Sequence, residues 1–456
     1  MTPTGAPPRG LVTTLRSEVA DDLAAAAGHT LTLDDRRELA RQLTFSRLQR
    51  HAGDSLAAGN PPLDAADEQR VAMAVLDALF GLGRLQALID DEQIENIDVN
   101  GCDRVWVTYA DGVKEFVEPI ADSDAELVEM IRSAAARFGL SERRFDAAHP
   151  ELDLHLPGGS RLSALMAVTA RPVVSIRRHR YVDLTLEDLV AFGAMDDSTG
   201  DLLAAAVRSR KNIVVGGAMN SGKTTLVRAL ASAIPPRERI VTIEQAFELG
   251  LAAATERHPD LVALEARPAN AEGEGAVSMA ALVRRALRMN ADRVIVGEVL
   301  GDEVLPMLNA MSQGRSGSMC TIHADSSQGI FHRLASYAVQ APERLPLEST
   351  NLLIAGAVNF VVFVEMADDS RSAGPVRRHA AATAHQQRFE ALQRRRFVSS
   401  IREVVGAEGL HVISNEIFRC GPDGRVVRAA PLRVETLEDL VAAGFEPRGD
   451  TWAAPW

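Results

Sequence analysis

The stretch KNIVVGGAMNSGKTTLVRAL, residues 211 to 230, decides the fold. It opens on an apolar β-type run, Ile213, Val214 and Val215, passes through Gly216 and Gly217, and closes in the helix-like pattern TLVRAL. Inside it Gly217, Gly222, Lys223 and Thr224 satisfy G-x-x-x-x-G-K-[ST] in the strand, loop and helix setting that the pattern requires. The glycines let backbone N–H groups turn inward around a polyphosphate, and the new helix adds the positive end of its dipole. Lys223 is then placed to reach the β- and γ-phosphates, and the Thr224 hydroxyl to ligate Mg²⁺. The plainer alternative is a Gly-rich turn that happens to contain Lys and Thr. The flanking strand and helix weigh against it.

Outward from this loop, 456 residues provide for two or three domains with a large core. A net charge of −13 argues against a protein that coats nucleic acid, whose footprint is basic, although charge can be segregated around a ring lumen. Cys102, Cys320 and Cys420 are far apart and form no C-x-x-C pair, so neither a zinc site nor a disulfide framework is expected. A reducing, cytoplasmic setting is the default. MTPTGAPPRG at the start has no apolar h-region, so no signal peptide is expected. The most apolar run, NLLIAGAVNFVVFVEMA at 351 to 367, is interrupted by Asn359 and falls short of the ~20 residues of a spanning helix. It reads as buried helix and strand, so any membrane association comes through a partner.

Taken in order, residues 1–62 read as a Pro/Gly-rich tail, two helices at roughly 13 to 27 and 33 to 52, and a linker, GDSLAAGNPP. Thr32 or Asp34 is the N-cap candidate for the second helix. Residues 63–182 read as a smaller α+β domain: an amphipathic helix over 63 to 90, then hairpin strands turning at Asn100-Gly101 and Asp111-Gly112. A helix over 124 to 139 follows, then strands turning at Pro157-Gly158-Gly159 and ending in PVVSIRRHR. Arg171, Arg177, Arg178 and Arg180 crowd that last strand, either as a solvated edge or as a phosphate-facing group. Residues 183–456 alternate strands and helices as a parallel nucleotide-binding sheet does, with strands IVTIE, RVIVGE, SMCTIH and NFVVFVE. Seven arginines against three acidic residues mark 368–396 as a surface excursion, with a docking arm as the alternative. A closing hairpin and a short final helix complete the chain.

Phosphoryl chemistry needs acids and sensors beyond the loop. RVIVGE ends in Gly297-Glu298, and a carboxylate at the C-terminal edge of a parallel strand faces the γ-phosphate and water. Glu298 is therefore the candidate that polarises the attacking water, directly or through Mg²⁺. Glu244 closes its strand and Glu248 follows four residues on; both are placed to hold the Mg²⁺ water shell, with a solvated helix-face acid as the lesser alternative for Glu248. His323 at the end of SMCTIH is either a satisfied core histidine or a γ-phosphate sensor.

Taken together, GAMNSGKTT, VTIEQAFELGL and LRMNADRVIVGEVLGDEVLPMLNAMSQGRSGSMCTIHADS resemble the secretion-superfamily ATPases of type II/type IV secretion, GspE/PilT-like, and among them most closely the CpaF/TadA branch that drives Tad-type pili. IENIDVNGCDRVWV, PGGSRLSA and VVSIRRHR extend the resemblance to roughly residues 63 to 366. It implies a RecA-like phosphate-loop ATPase, active on ATP with Mg²⁺, as a cytoplasmic homo-hexamer acting at the inner face of the membrane on a platform protein. Each nucleotide would lie between the N-terminal α+β domain and the motor. Gly217, Ala218, Met219, Asn220, Ser221, Gly222, Lys223, Thr224 and Thr225 match the Walker A motif. Glu244 and Glu248 match the Asp box, Gly297 and Glu298 the atypical Walker B, and His323 the His box. Arg161 and Arg177 stand where the family's N-terminal arginines reach bound phosphates. Gln245, Leu300 and Arg315 depart from the family's usual Asp, Arg and His. A hydrolysis-poor scaffold that gates a secretion complex and a conjugation-type transfer ATPase are the competing readings.

Overall fold

Near its start the chain is helical for local reasons. Among the described residues of the computed structural model, 9–26, 32–109, 112–138, 144–178, 183–267, 269, 273–312, 316–368, 394–421, 426–447 and 452, the first elements are α1 (Arg9–Ala26), α2 (Leu33–Ala57) and α3 (Ala65–Phe80). Their small core is Leu15, Leu48, Val71, Ala72 and Val75. Thr32 caps α2 as expected: its side chain accepts from the Asp35 N–H, and the Asp35 carboxylate accepts from the Thr32 N–H. Helix α2 runs on to Ala57, so half of the expected linker is helical. The single helix expected over 63 to 90 breaks instead between Gly81 and Gly83. Gly83 takes φ 52°, a left-handed backbone that glycine adopts readily, and α4 (Arg84–Asp90) starts anew.

The period-2 stretches pair as read. Strands β1 (Ile94–Asn100), β2 (Val105–Tyr109) and β3 (Lys114–Val117), helix α5 (Asp124–Phe138), and strands β4 (Glu151–His155), β5 (Arg161–Leu165) and β6 (Val173–Arg177) follow in turn. The strands form an antiparallel sheet in the order β3-β2-β1-β6-β5-β4. Ile97, Val99, Leu162 and Ile176 share one core with Leu127 and Ile131 of α5. Everything to this point lies in one unit, Met1–Arg180.

The second unit, Tyr181–Trp456, begins with α6 (Leu186–Ala191), α7 (Asp197–Arg208), β7 (Ile213–Gly217) and α8 (Lys223–Ala231). It continues through β8 (Ile240–Glu244), β9 (Leu261–Glu265), α9 (Met279–Ala286), β10 (Arg293–Val299), α10 (Val304–Ser312) and β11 (Met319–His323). Then come α11 (Gly329–Gln340), α12 (Leu347–Ala357), β12 (Phe360–Asp368), β13 (Arg394–Glu408), β14 (His411–Cys420), β15 (Val426–Arg428) and α13 (Val434–Ala442). Nine strands lie in the order β15-β14-β13-β12-β7-β11-β10-β8-β9, parallel from β12 to β9 and antiparallel beyond β12.

Covered faces explain the unbroken apolar runs. Ile213 and Val215 pack with Leu203, Leu226 and Leu230 on one side, while Val214 packs with Ile330 and Leu334 on the other. The unit is the α/β arrangement of a RecA-like domain, preceded in the chain by the smaller α+β unit. Strand β9 escapes sequence reading because it is short and half-buried at the sheet edge. The run at 351 to 367 does form buried helix and strand, and among the described residues no single helix is long and apolar enough to cross a membrane. The Arg-rich excursion is narrower than read: Asp368 pairs with Arg394 and Met366 with Arg396 in the β12–β13 hairpin, while 369–393 lie outside the described residues.

Candidate functional site

Register alone brings the sheet's chemistry to one edge. His323, the last residue of β11, pairs with Gly217, the last of β7, and Val364 of β12 pairs with Gly217 from the other side. A Cβ on Gly217 would stand 2.4 Å from the Val364 carbonyl oxygen and 2.4 Å from Ser221 Oγ, so only glycine fits there. At the far end of the loop Gly222 takes φ 99° and caps α8 with no side-chain hydrogen bond. The helix's first N–H groups, which have no intrahelical acceptor, are thus left to the loop's concave side. Asn220 holds φ 61°, a left-handed backbone that Asn tolerates better than most residues.

Two donors converge within that loop on one oxygen. The Lys223 ammonium donates to the Ala218 carbonyl at 3.0 Å, and the Ser221 N–H donates to the same oxygen at 3.3 Å. An oxygen that collects an ammonium and a backbone N–H is what a phosphate offers this loop. Lys223 Nζ also lies 3.1 Å from His323 Nδ1, and His323 Nε2 lies 2.7 Å from Glu298 Oε1. An ammonium can only donate, so Nδ1 is the acceptor and the imidazole proton sits on Nε2. The Nε2 to Oε1 approach forms no hydrogen bond, and Oε1 is left buried without a hydrogen-bond partner. A third of the Glu298 side chain is exposed, so a water, an ion or a ligand can reach this carboxylate.

A bulge aims Glu298. The register of β10 against β11 slips between Val296 and Val299, leaving Gly297 and Glu298 in the irregularity. The Thr321 hydroxyl donates to the Gly297 carbonyl at 2.6 Å there, and bulges of this kind re-aim side chains beside active sites. Glu244 lies over Gly297, where a Cβ would meet Glu244 Cγ at 2.9 Å. Its Oε2 accepts from the Glu248 and Leu249 N–H groups, each at 2.7 Å. Burial raises the Glu244 carboxyl above its ordinary value, and the two backbone donors oppose that rise. Residues 245 to 250 are not helical, so the helix-face reading of Glu248 does not apply; the residue sits in the loop that Glu244 ties down.

Thr224 and Thr225 stand in the first turn of α8, half-buried like the capping Gly222, and Met219 is exposed in the loop. Among the described residues no group of three His, Cys, Asp or Glu side chains gathers to hold a metal. Mg²⁺ commonly binds through one or two protein groups plus phosphates, and the Thr224 hydroxyl with the unpaired Glu298 oxygen suits that mode. Gln245 and Leu300 are exposed, and Arg315 lies outside the described residues.

Arg161 and Arg177 belong to the other unit. Strands β5 and β6 set them directly opposite each other, 16 residues apart in sequence, with Arg161 also 3.8 Å from Asp153. Arg171, read as one of the same basic group, is instead a clamp: its guanidinium holds Asp124 through two bonds of 2.7 Å and Asp103 through a third of 2.7 Å. Sequence reading missed two further arginines. Arg228 in α8 is buried, donates through Nε to the Leu249 carbonyl at 2.8 Å and through Nη2 to the Glu248 carbonyl, and so fixes the loop after β8. Arg396 donates to the Asn220 carbonyl at 3.0 Å. Its only signal in sequence was its place at the end of an arginine run.

The family described as type II/IV secretion system protein matches residues 80–415. The chain belongs to that family. A Mycobacterium tuberculosis protein named for conjugal transfer is 36% identical over 296 residues, covering 63% of this chain and 80% of its own. The type IV secretion system protein PtlH of Bordetella pertussis is 32% identical over 312 residues, 63% of this chain and 89% of its own. The solved VirB11 ATPase of Brucella suis is 29% identical and covers 63% of this chain and 92% of its own, with a TM-score of 0.32. The matched span of this type II/IV secretion system protein takes in both the phosphate loop and Arg161 and Arg177. As a member of that family the chain is an ATPase.

Proposed function

We propose that this family member is a ring-forming motor that couples ATP hydrolysis to movement of a platform at the inner face of the cell membrane, in a Tad-type pilus or a related secretion system. The observation that carries the chemical half is the line from Lys223 through His323 to Glu298 at the sheet edge, with contacts of 3.1 and 2.7 Å. The phosphate loop, residues Gly217 to Thr225, receives the polyphosphate on its N–H groups, and the Lys223 ammonium moves from Ala218 to the β- and γ-oxygens. Thr224 and Glu298 would hold Mg²⁺, which would supply charge neutralisation to the phosphates. Glu298 orients the attacking water, and His323, keeping its proton on Nε2, reports the γ-phosphate through the Lys223 contact. Glu244 shapes the loop that presents Glu248 to the ion's water shell. Arg161 and Arg177 add a paired cation for phosphate recognition, for which guanidinium geometry is suited.

The Tad-type assignment rests on the motif resemblance to the CpaF/TadA branch. A transfer motor that moves nucleoprotein has support in the relatives named for conjugal transfer, while the net charge of −13 weighs against it. The ring is tested by measuring specific activity and mass together across protein concentration. Turnover that rises as hexamers assemble supports the motor; full turnover by a monomer at every concentration contradicts the ring.

A further inference from the structure

Beyond the nucleotide cradle itself, a strand from the far side of the sheet grips the phosphate loop. Strand β12 pairs with β7 as far as Val364 opposite Gly217, then continues past the loop to Asp368. Strand β13 returns along it, with Phe397 opposite Glu365 and Arg396 opposite Met366. Arg396 therefore stands two residues along the sheet beyond the level of the loop's first glycine. Side chains alternate along a strand, so Arg396 shares its face with Val398, which packs in the same core as Leu226 and Leu230 of α8. Two contacts follow. Arg396 Nε donates to the Asn220 carbonyl at 3.0 Å, and the side-chain stem passes over Gly222, where a Cβ would meet Arg396 Cδ at 3.4 Å.

We infer that Arg396 is a positioning residue that sets the phosphate loop for nucleotide binding. A peptide unit is planar, with its C=O and N–H pointing in opposite directions. Holding the Asn220 carbonyl outward against the guanidinium therefore turns the next N–H, that of Ser221, to the opposite side. That N–H does point across the loop, to the Ala218 oxygen on which the Lys223 ammonium also converges. The Asn220 backbone is left-handed at φ 61°, a conformation that Asn tolerates better than most L-residues and that an outside contact holds in place. Arg396 supplies that hold, and it ties the loop's shape to the β12–β13 hairpin. Any partner or ring neighbour that displaces the hairpin then alters nucleotide affinity without touching Lys223, Glu298 or His323.

This inference rests on the phosphate-loop reading, so the experiment carries Lys223→Ala beside Arg396→Ala, with Arg396→Lys as the conservative variant that keeps the stem over Gly222. Binding of fluorescent ADP and ATP, KM and kcat for MgATP, and thermal melts are measured on the full chain. Arg396→Ala weakens both nucleotides about tenfold or more and raises KM to match, with kcat at saturation within about twofold of the wild type. Arg396→Lys recovers part of the affinity, and added guanidinium ion restores Arg396→Ala more than it affects the wild type. Unchanged affinity and KM in a folded Arg396→Ala, while Lys223→Ala loses binding, would overturn the inference alone. A fall in kcat with KM unchanged would overturn it too, by making Arg396 part of the chemistry. Full binding by Lys223→Ala would instead bring down the phosphate-loop reading beneath it. Where Arg396→Ala does not fold, the Arg396→Lys affinity decides: wild-type affinity and KM with no response to guanidinium contradict the guanidinium's role, and a partial loss supports it.

Discussion

His323 Nε2 stands 2.7 Å from Glu298 Oε1, yet the oxygen has no hydrogen-bond partner. The slip in β10 sets where Glu298 leaves its strand, and the β11 register sets where His323 leaves the neighbouring one. A carboxylate held close to a donor but not bonded to it is poised for a water or an ion.

Lys223 gives the plainest prediction. Its ammonium has the Ala218 carbonyl and His323 as partners, and phosphate oxygens would replace them. Lys223→Ala should weaken ATP and ADP by about 10- to 100-fold, the worth of a charge-assisted bond. The rise in melting temperature that MgATP gives the wild type should shrink accordingly. A titration followed by fluorescence checks the first, and a melt with nucleotide the second.

Gly297→Ala should be costly out of proportion to one methyl group. The new Cβ would sit 2.9 Å from Glu244 Cγ, and Glu244 cannot swing away while the Glu248 and Leu249 N–H groups hold Oε2. Overpacking of this kind costs about 1–3 kcal/mol. A lower melting temperature together with reduced turnover is expected; wild-type values in both would show that Glu244 moves freely.

Glu244 also predicts a pH dependence. Burial raises its carboxyl above the ordinary 4.5, so the folded protein binds this proton more tightly than the unfolded chain. Stability from this group is greatest at low pH and falls as pH rises from 4.5 through the raised value. Glu244→Gln keeps an acceptor for the two N–H groups but has no such titration. Its melting temperature should gain on the wild type across that window and then hold a constant lead. A difference that runs the other way would mean the carboxylate is stabilised in the folded state.

Arg177 separates function from folding. It lies directly opposite Arg161 on neighbouring strands, an arrangement that costs stability by repulsion. Arg177→Ala should leave the melt unchanged or raise stability by about 0.2–1 kcal/mol, while turnover falls by about tenfold or more. Matched melts and turnover assays decide it; a destabilised variant with normal turnover would make the pair structural.

Sequence carried the site where motif and strand coincide. Glu298 and His323 lie at the C-terminal ends of strands whose apolar runs are plain, and Lys223 opens the helix after the loop that leaves β7, so their place at one sheet edge followed from parallel pairing and the loop motif together. What escaped was set by long-range geometry. The slip that aims Glu298 depends on β11 as a neighbour, and Gly297 shows its constraint only once Glu244 lies over it. Arg228 is one residue of the TLVRAL helix pattern, and nothing local in that pattern shows its bonds to the loop at 248 and 249. Arg171 and Arg177 were alike in sequence, and only the partners Asp124 and Asp103 make one a clamp. The break at Gly81 to Gly83 is marked in sequence only by two glycines inside a continuous apolar pattern, and it is Gly83's left-handed backbone that ends the run.

The most direct measurement is steady-state MgATP hydrolysis by the full chain at concentrations that permit rings, with Glu298→Gln as the paired variant. The account predicts turnover by the wild type and a loss of about 10²- to 10⁴-fold in kcat for Glu298→Gln, with nucleotide binding retained. Equal turnover by both proteins would contradict the role given to Glu298, and binding without turnover by the assembled wild type would contradict the motor itself.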